Sequence, residues 1–493
     1  MNGQLCILRY ILLDFFYRNM KIKIIEPYNL NRRFDVRSLN PNSGPVIIGT
    51  LLEQAGHDVE IISEYVTHLD LDAINEADFV GISITTYNAK RGFEIALSTT
   101  RPIVFGGFHA SLMPQECLSY GDYVIRGDGH PVIELADFLK NRENRDISSI
   151  PNLVYKENGK IRYNRAETKA ISVVPNFRLV KNYYKLNWNR LSRIPLLVNS
   201  SRGCHFRCTF CAIREVYNDF KNKNKEIVFE DIKSQINSQH FFSKILPRTI
   251  WITDDNFFSD IQWAKSTLRD LAAEKLKYSI AIQARPDIAM DDELLKLLKE
   301  ANFGRIYLGI ESLNNKSLTD FKKDISLNEI TDAVMRIKHH GLDVYGLFVF
   351  GDDEFEKGDG KKIASFAKKQ GLTGVLVQPL TPFPGTNLFK KFKAENRILH
   401  ENWQDYNGKV VFKPKNLTAA ELQKEIYDCY RGVYTPLRLA KYMLFGKRGS
   451  RLGLFGEAVI RYLEWIKCRR YIREKLSICI SEPAGESKNA FLS

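Results

Sequence analysis

Three cysteines stand within eight residues, Cys204, Cys208 and Cys211, in the segment SRGCHFRCTFCAIREVY, with C-x3-C-x2-C spacing. Three thiolates on one loop can converge on a soft metal centre, either zinc or an iron-sulfur cluster. A closed structural zinc site takes four ligands, and the nearest other cysteines, Cys117 and Cys429, lie far away in the sequence. His205 is the nearest substitute, but its backbone adjoins that of Cys204, which strains simultaneous chelation with all three thiols. Three protein ligands on four irons instead leave one iron open for a substrate or cofactor. The cluster is the better reading, and zinc stays as the alternative.

The remaining cysteines, at 6, 117, 429, 468 and 479, are too sparse for a disulfide-stapled secreted scaffold. A reducing compartment follows, so the protein is expected in the cytoplasm. The 493 residues, 44% hydrophobic and 26% charged, have globular composition. That length suits roughly two to four domains. No run spans a membrane: the longest uncharged stretch, 371–389, holds three prolines and three glycines. Near the start, Arg9 and Asp14 interrupt the apolar run and no small-residue cleavage site follows, so secretion is unsupported. MKIKIIEP, from Met20, makes a natural alternative start, and residues 1–19 read as an upstream extension.

Net charge is +14, but residues 431–475 hold twelve Lys/Arg against three Glu, a net +9, leaving +5 for the rest. A uniformly basic body would have favoured nonspecific nucleic-acid binding, whereas a local basic tail suggests a contact surface for something anionic.

The elements that must position the cysteines are legible as strand-helix alternation. Between residues 20 and 145, IKIIEP, VEIIS, DFVGISI, IVFGG and DYVIRG are five candidate strands separated by helices. This predicts an α/β, flavodoxin-like doubly wound domain that binds ligands at the strand carboxyl ends. Residues 146–193 break the rhythm and read as a linker with a β-hairpin turning at Asn158-Gly159. From 194 to 400, six strands (LLVNSS, TIWITDD, YSIAIQA, RIYLGIE, VYGLFVF, GVLVQPL) predict a partial (β/α)6 barrel, again with chemistry at the carboxyl ends. Asp291 and Asp292 open one helix and Gly304 is expected to stop it; Ser326 and Glu329 form a capping-box spacing before another that ends at Gly341. KNKNKE at 221–226 reads as a solvated loop, and 401–493 as a helical carboxyl-terminal region.

The cysteine segment resembles the signature of the radical S-adenosylmethionine (SAM) enzymes, C-x3-C-x-aromatic-C after the first strand of a partial barrel, with Phe210 as the aromatic residue. The resemblance implies a [4Fe-4S] cluster on Cys204, Cys208 and Cys211, whose open iron takes the amino and carboxylate groups of SAM. Electron transfer, from a flavodoxin- or ferredoxin-type donor, then yields a 5′-deoxyadenosyl radical that abstracts hydrogen. Other segments are placed by the same pattern. Thr253-Asp254-Asp255-Asn256 stands where many members carry a Gly-Gly-Glu that receives the SAM amino group, a departure that leaves Asp254 or Asp255 for the task. Arg285 could pair with the SAM carboxylate, Glu311 and Ser312 with the ribose, and Gly351 lies in the adenine-contacting stretch. The plainer readings are that Asp255 or Asp260 caps a helix and that Arg285 pairs with Asp287.

One subgroup of that family carries a cobalamin-binding domain ahead of the barrel, and residues 20–145 resemble it at GISITTY, FGGFHASLMPQE and VIRGDGH. Gly106 and Gly107 would let the backbone approach the corrin, and Ser83 and Thr85 would offer hydroxyls to the nucleotide tail. No histidine occurs between Pro27 and Gly56, so the D-x-H-x-x-G motif is missing and cobalt should lack a histidine on its lower face. His109 and His130 are read as helix-start or packing residues. Radical methylthiotransferases of transfer RNA carry three further cysteines in their first domain. Only Cys117 and Cys6 are present here, so no nucleic-acid partner is expected.

The implied function is methylation of an unactivated carbon of a small-molecule or lipidic substrate. One SAM would methylate cob(I)alamin, and a second would yield the radical. Oxidative cyclisation in the same family and a non-catalytic SAM-binding partner are the alternatives. The basic tail, which interleaves Leu, Phe, Tyr and Trp with Lys and Arg, is a candidate peripheral membrane contact. Its plain reading is a helix packed on the barrel with its basic heads in solvent.

Overall fold

The computed structural model describes residues 19–28, 41–140, 146–169, 171–183, 196–238 and 249–435. The proposed extension, the basic stretch beyond residue 435 and part of the linker therefore lie outside the described residues. Among the described residues no helix is long and apolar enough to cross a membrane.

Five parallel strands form the first sheet: β1 (Lys21–Glu26), β2 (Asp58–Ser63), β3 (Phe79–Ser83), β4 (Ile103–Gly106) and β5 (Tyr123–Ile125). Their order, 2-1-3-4-5, is that of a flavodoxin-like domain. Ile22, Ile24, Ile25, Ile61, Ile62, Val80, Ile82 and Phe105 are buried, as strands covered on both faces require. The hairpin at Asn158-Gly159 forms from β6 (Leu153–Glu157) and β7 (Lys160–Tyr163). It is part of the first sheet, because β6 pairs antiparallel with β5 and extends it to seven strands. Leu153, Val154 and Tyr155 are buried, so the hairpin belongs to the first core and is more than a connection.

The second sheet holds β8 (Leu196–Val198), β11 (Thr249–Ile252), β12 (Ser279–Ala284), β13 (Phe303–Glu311), β14 (Asp343–Phe350) and β15 (Gly374–Pro379), parallel and in sequence order. This is the expected partial barrel. A small antiparallel ribbon, β9 (Ser201–Arg202) with β10 (Lys221–Asn222), brackets the cysteine loop.

Local signals account for most boundaries. Asp291 accepts from the Leu294 amide and opens the helix Asp292–Glu300, and the Ser326/Glu329 capping box opens Leu327–His339. Gly304 does not stop the first of these helices. The turn is made at Asn302 (φ 60°), and Gly304 lies inside β13. Nor is KNKNKE a solvated loop. Lys221 and Asn222 form β10, Asn224 caps the helix Lys225–Asn237, and Lys223 is buried. Burial, and then the Arg202 charge, push the Lys223 ammonium down to about 8. A spacing of alternate Lys and Asn looked polar throughout but serves as ribbon, buried cation and cap in turn.

Beyond β15 the chain seals both domains. The helix Ala419–Val433 packs on the barrel, with Leu422, Cys429 and Val433 buried in its core. Residues 410–412 are two-faced: Val410 and Phe412 belong to the barrel core, whereas Val411 joins the core of the first domain with Phe389, Trp403 and Tyr406. Alternate side chains of extended backbone point to opposite faces, which lets one short segment serve two cores.

Candidate functional site

The cysteine loop leaves β8 and is held from below by a buried carboxylate. Asp254 accepts from the Ser200 amide (2.7 Å), the Ser200 and Ser201 hydroxyls (2.5 and 2.7 Å) and the Asn199 amide (3.1 Å). Both its oxygens are thus occupied in anchoring the loop, which argues against the role of ammonium acceptor raised for it from sequence. Asp255 accepts from the Gly203 amide at 3.0 Å, one residue before the first cysteine. Burial pushes its carboxyl up to about 6 against the opposing Arg202 charge. Asp254 is thus spent on four donors of the loop, whereas Asp255 accepts from the Gly203 amide and its charge reaches the Cys211 thiol. Asp260 accepts from the Trp263 amide and caps the following helix.

Gly203 has φ 79°, and a Cβ there would meet the Asp219 carbonyl at 2.3 Å. Only glycine fits where the ribbon closes so tightly. The Cys211 amide donates to the Cys208 carbonyl (3.1 Å), turning the loop, and the Phe210 ring meets Phe321 edge-on, 4.9 Å between centroids. Phe210 therefore anchors the loop to the chain beyond β13.

Burial pushes the Cys211 thiol up to about 12. Burial also raises Cys208, against the charges of Lys323 and Arg285. Buried thiols of this kind ionise when a metal supplies the compensating charge. N–H donors are already aimed at the sulfurs: Asn256 Nδ2 lies 3.7 Å from Cys204 Sγ, and Arg285 Nη1 3.7 Å from Cys208 Sγ. Hydrogen bonds to sulfur and nearby charge are what tune an iron-sulfur centre, so the donor set and its surroundings fit one. Among the described residues no three His, Cys, Asp or Glu side chains converge closely enough to hold a single metal ion. A cube that takes one thiolate per iron does not need that closeness.

Arg285 and Glu311 meet at a residue that no motif singled out, Lys323. Its ammonium pairs with Glu311 Oε1 at 3.0 Å, both side chains being buried, and its carbonyl accepts from Arg285 Nη2 at 2.6 Å. The Arg285 guanidinium lies over the Phe206 ring at 3.7 Å and also reaches Asp287 at 3.5 Å, so the plain pairing is present alongside the contact to Cys208. Glu311 has φ 66°, at an irregularity in the β13–β14 register. A non-glycine residue held there costs roughly 1–3 kcal/mol and tends to mark a functional site. Ser312, also buried, accepts at Oγ from the Asn314 amide (3.1 Å). Lys323 lies between two further positive-φ residues, Lys322 and Asp324. A lysine flanked by turn-forming residues after a strand end is a weak sequence signal, and only the fold reveals its partners.

At Gly351 (φ 97°) a Cβ would collide with Leu422 (2.4 Å) and Phe412 (2.9 Å). What requires glycine here is the seating of the carboxyl-terminal helix.

On the first domain the expected residues gather at the carboxyl edge. Ser83 is in register with Gly106. A Cβ on Gly106 would meet only the Ile125 carbonyl, at 4.0 Å, so its approach is open. Gly107 differs: at φ 92° a Cβ would lie 2.6 Å from the Ile84 carbonyl, so the neighbouring backbone demands this glycine. Thr85 forms a capping box with Asn88, which engages its hydroxyl locally. His109 is buried between Thr86 and Glu116, and His130 pairs with Asp128 at 2.5 Å. An open glycine edge at the end of parallel strands suits a broad flat ligand.

The two edges face each other. Phe108, next to Gly107, meets Tyr217 of the cysteine segment edge-on at 6.2 Å. Gly385, past β15, approaches the Leu112 carbonyl of the first domain.

Comparison with known proteins agrees with this arrangement. The family model described as the radical SAM superfamily matches residues 198–358, and the B12 binding domain matches 34–136. An uncharacterized methyltransferase of Pyrococcus horikoshii is 28% identical over 81% of this chain and 89% of its own. The bacteriochlorophyllide d C-8(2)-methyltransferase of Chlorobaculum tepidum is 25% identical over 81% of this chain and 87% of its own. The fold is that of the radical SAM methyltransferase TsrM from Kitasatospora setae, solved with cobalamin and a [4Fe-4S] cluster (TM-score 0.69, 16% identity, 92% of this chain and 100% of that one). The chain belongs to the radical SAM superfamily and carries a B12-binding domain ahead of its barrel.

Proposed function

We propose that the protein is a cobalamin-dependent radical SAM methyltransferase acting on an unactivated carbon of a small-molecule or lipidic substrate. The observation that carries this reading is the apposition of the two edges, through Phe108 and Tyr217. Methyl transfer between two cofactors needs them within reach of one substrate, and proximity of this kind is a large part of catalysis. Similarity to methyltransferases over 81% of the chain supports the same reaction.

When bound, the cluster and SAM supply a 5′-deoxyadenosyl radical, and cobalamin supplies the methyl group. The chain's own part is to hold and to exclude. Cys204, Cys208 and Cys211 hold the cluster, with Arg285 and Asn256 donating to their sulfurs. Asp255 is the acceptor offered to the SAM ammonium, and Glu311 and Ser312 are offered to its ribose. Lys323 holds the Glu311 carboxylate in place. Gly106 leaves room for the corrin. A flavodoxin- or ferredoxin-type protein is the electron donor this scheme requires.

Anoxic reconstitution followed by reduction with SAM tests the reading. The expected result is about four irons per chain, with 5′-deoxyadenosine and S-adenosylhomocysteine both released. Release of 5′-deoxyadenosine alone would replace methyl transfer by oxidative cyclisation. Release of neither from cluster-loaded protein would leave a non-catalytic SAM-binding partner, and zinc in place of iron would end the radical SAM reading.

A further inference from the structure

The segment beyond the barrel does more than close it. Trp403 is buried in the core of the first domain, its ring 5.9 Å from His109, 6.1 Å from Phe389 and 5.0 Å from Tyr406. Its indole N–H donates to Glu116 Oε1 at 2.9 Å, and the other oxygen of the same carboxylate lies 3.1 Å from His109 Nε2. Burial works to raise the Glu116 carboxyl, but the bonds from His109 and Trp403 outweigh it and hold the group below its ordinary range. A carboxylate accepts at both oxygens, so this network assigns the hydrogen to His109 Nε2. His109 Nδ1 lies 3.3 Å from the Thr86 hydroxyl. The His109 amide also donates to the Ile84 carbonyl, the atom that Gly107 approaches so closely.

The relay therefore ends on two loops. One carries Thr85 and Thr86 after β3; the other carries Gly107 and Phe108 directly after Gly106, the last residue of β4. These are the loops that form the open glycine edge, and Phe108 is the residue that touches the cysteine segment through Tyr217.

We propose that Trp403 is a positioning residue for the cobalamin edge: acting through Glu116 and His109, it fixes the loops after β3 and β4 and so sets how the first domain presents its cofactor to the barrel. This rests on the cobalamin reading above. A residue 287 positions after Glu116 thus adjusts the first domain's binding edge, and it does so from a segment whose neighbours, Val410 and Phe412, are embedded in the barrel core. The relay is accordingly tied to both bodies at once.

The test uses the full chain with Trp403→Phe, which keeps a buried ring but removes the donor together with one fused ring, and Glu116→Gln, which keeps the shape and the packing and removes only the charge. Hydrogen exchange of the cofactor-free protein should quicken about tenfold at residues 84–88 and 107–112, the scale of one lost bond to a charged acceptor. The strands of the barrel should exchange as before. Cobalamin binding, followed by visible absorbance with hydroxocobalamin as the probe, should weaken about tenfold. Reductive SAM cleavage should stay within about twofold, so product methylation falls relative to 5′-deoxyadenosine release. Wild-type exchange and affinity in both variants would overturn the proposal. So would equally faster exchange across both sheets, which would make Trp403 an ordinary core residue. A wild-type chain that takes up no cobalamin overturns the functional reading instead. The exchange pattern, measured without cofactor, still decides whether Trp403 fixes these loops.

Discussion

The two facing edges of this molecule are built on different principles. The barrel edge works with side chains: three thiols, two cations and three carboxylates, most with named partners. The edge of the first domain works with backbone, through a glycine that leaves room, a second that lets two loops touch, and a Thr85 hydroxyl spent on a local cap. Side-chain chemistry is written in residue type and spacing, whereas backbone shape is written only as permission, because glycine marks where something could approach and never what does.

Substitutions can break or sharpen that contrast. The largest effect belongs to the thiols. Cys204→Ala should reduce iron after reconstitution to background and abolish SAM cleavage, with circular dichroism unchanged. A folded variant that still holds a full iron complement would break the assignment. Next comes the buried pair beside them. Lys323→Met strands the Glu311 carboxylate and should cost about 3–5 kcal/mol in denaturant unfolding, with SAM affinity falling as well; Lys323→Arg should recover most of both.

On the opposite edge the two glycines should separate. Gly107→Ala must strain a positive-φ position against backbone and should cost roughly 1–3 kcal/mol, read as a lower Tm, with iron content unaffected. Gly106→Ala enters open space and should change stability by less than about 0.5 kcal/mol while reducing cobalamin retention. Equal behaviour of the pair would erase the distinction drawn between them. Smallest of the sizeable effects, Thr85→Ala removes a cap and should cost about 1 kcal/mol. Loss of cobalamin with no loss of stability would show that its hydroxyl serves the ligand after all.

How much was legible follows from the same physics. Strand-helix alternation carried both sheets because burial on two faces forces β-branched runs, and Ile24, Ile61 and Ile82 are where that pattern puts them. The cysteine motif was legible because its function is local. Asp254 and Asp255 were adjacent and chemically identical in sequence; only the fold shows one wrapped by Ser200, Ser201 and Asn199 and the other turned toward Gly203. Lys323 was invisible because its meaning depends on Arg285 and Glu311, which reach it from two different strands. The hairpin was found but misassigned as a connector, since nothing in Leu153–Tyr163 says that β5 offers it an edge. KNKNKE misled for the opposite reason: polarity predicted solvent, and a buried lysine beside Arg202 is the exception that composition cannot announce.

The two-faced stretch at residues 410–412 has a consequence for biogenesis. The amino-terminal half leaves the ribosome long before Trp403, Tyr406 and Val411 are translated, yet those residues complete its hydrophobic interior. The nascent half must therefore wait with a hole in its centre, and the order of synthesis is the reverse of the order of completion. Domains that emerge first usually finish first. Here a segment made after the barrel locks the domain made first, so a polypeptide halted after the barrel would hold every cofactor motif and still lack a finished B12-binding half.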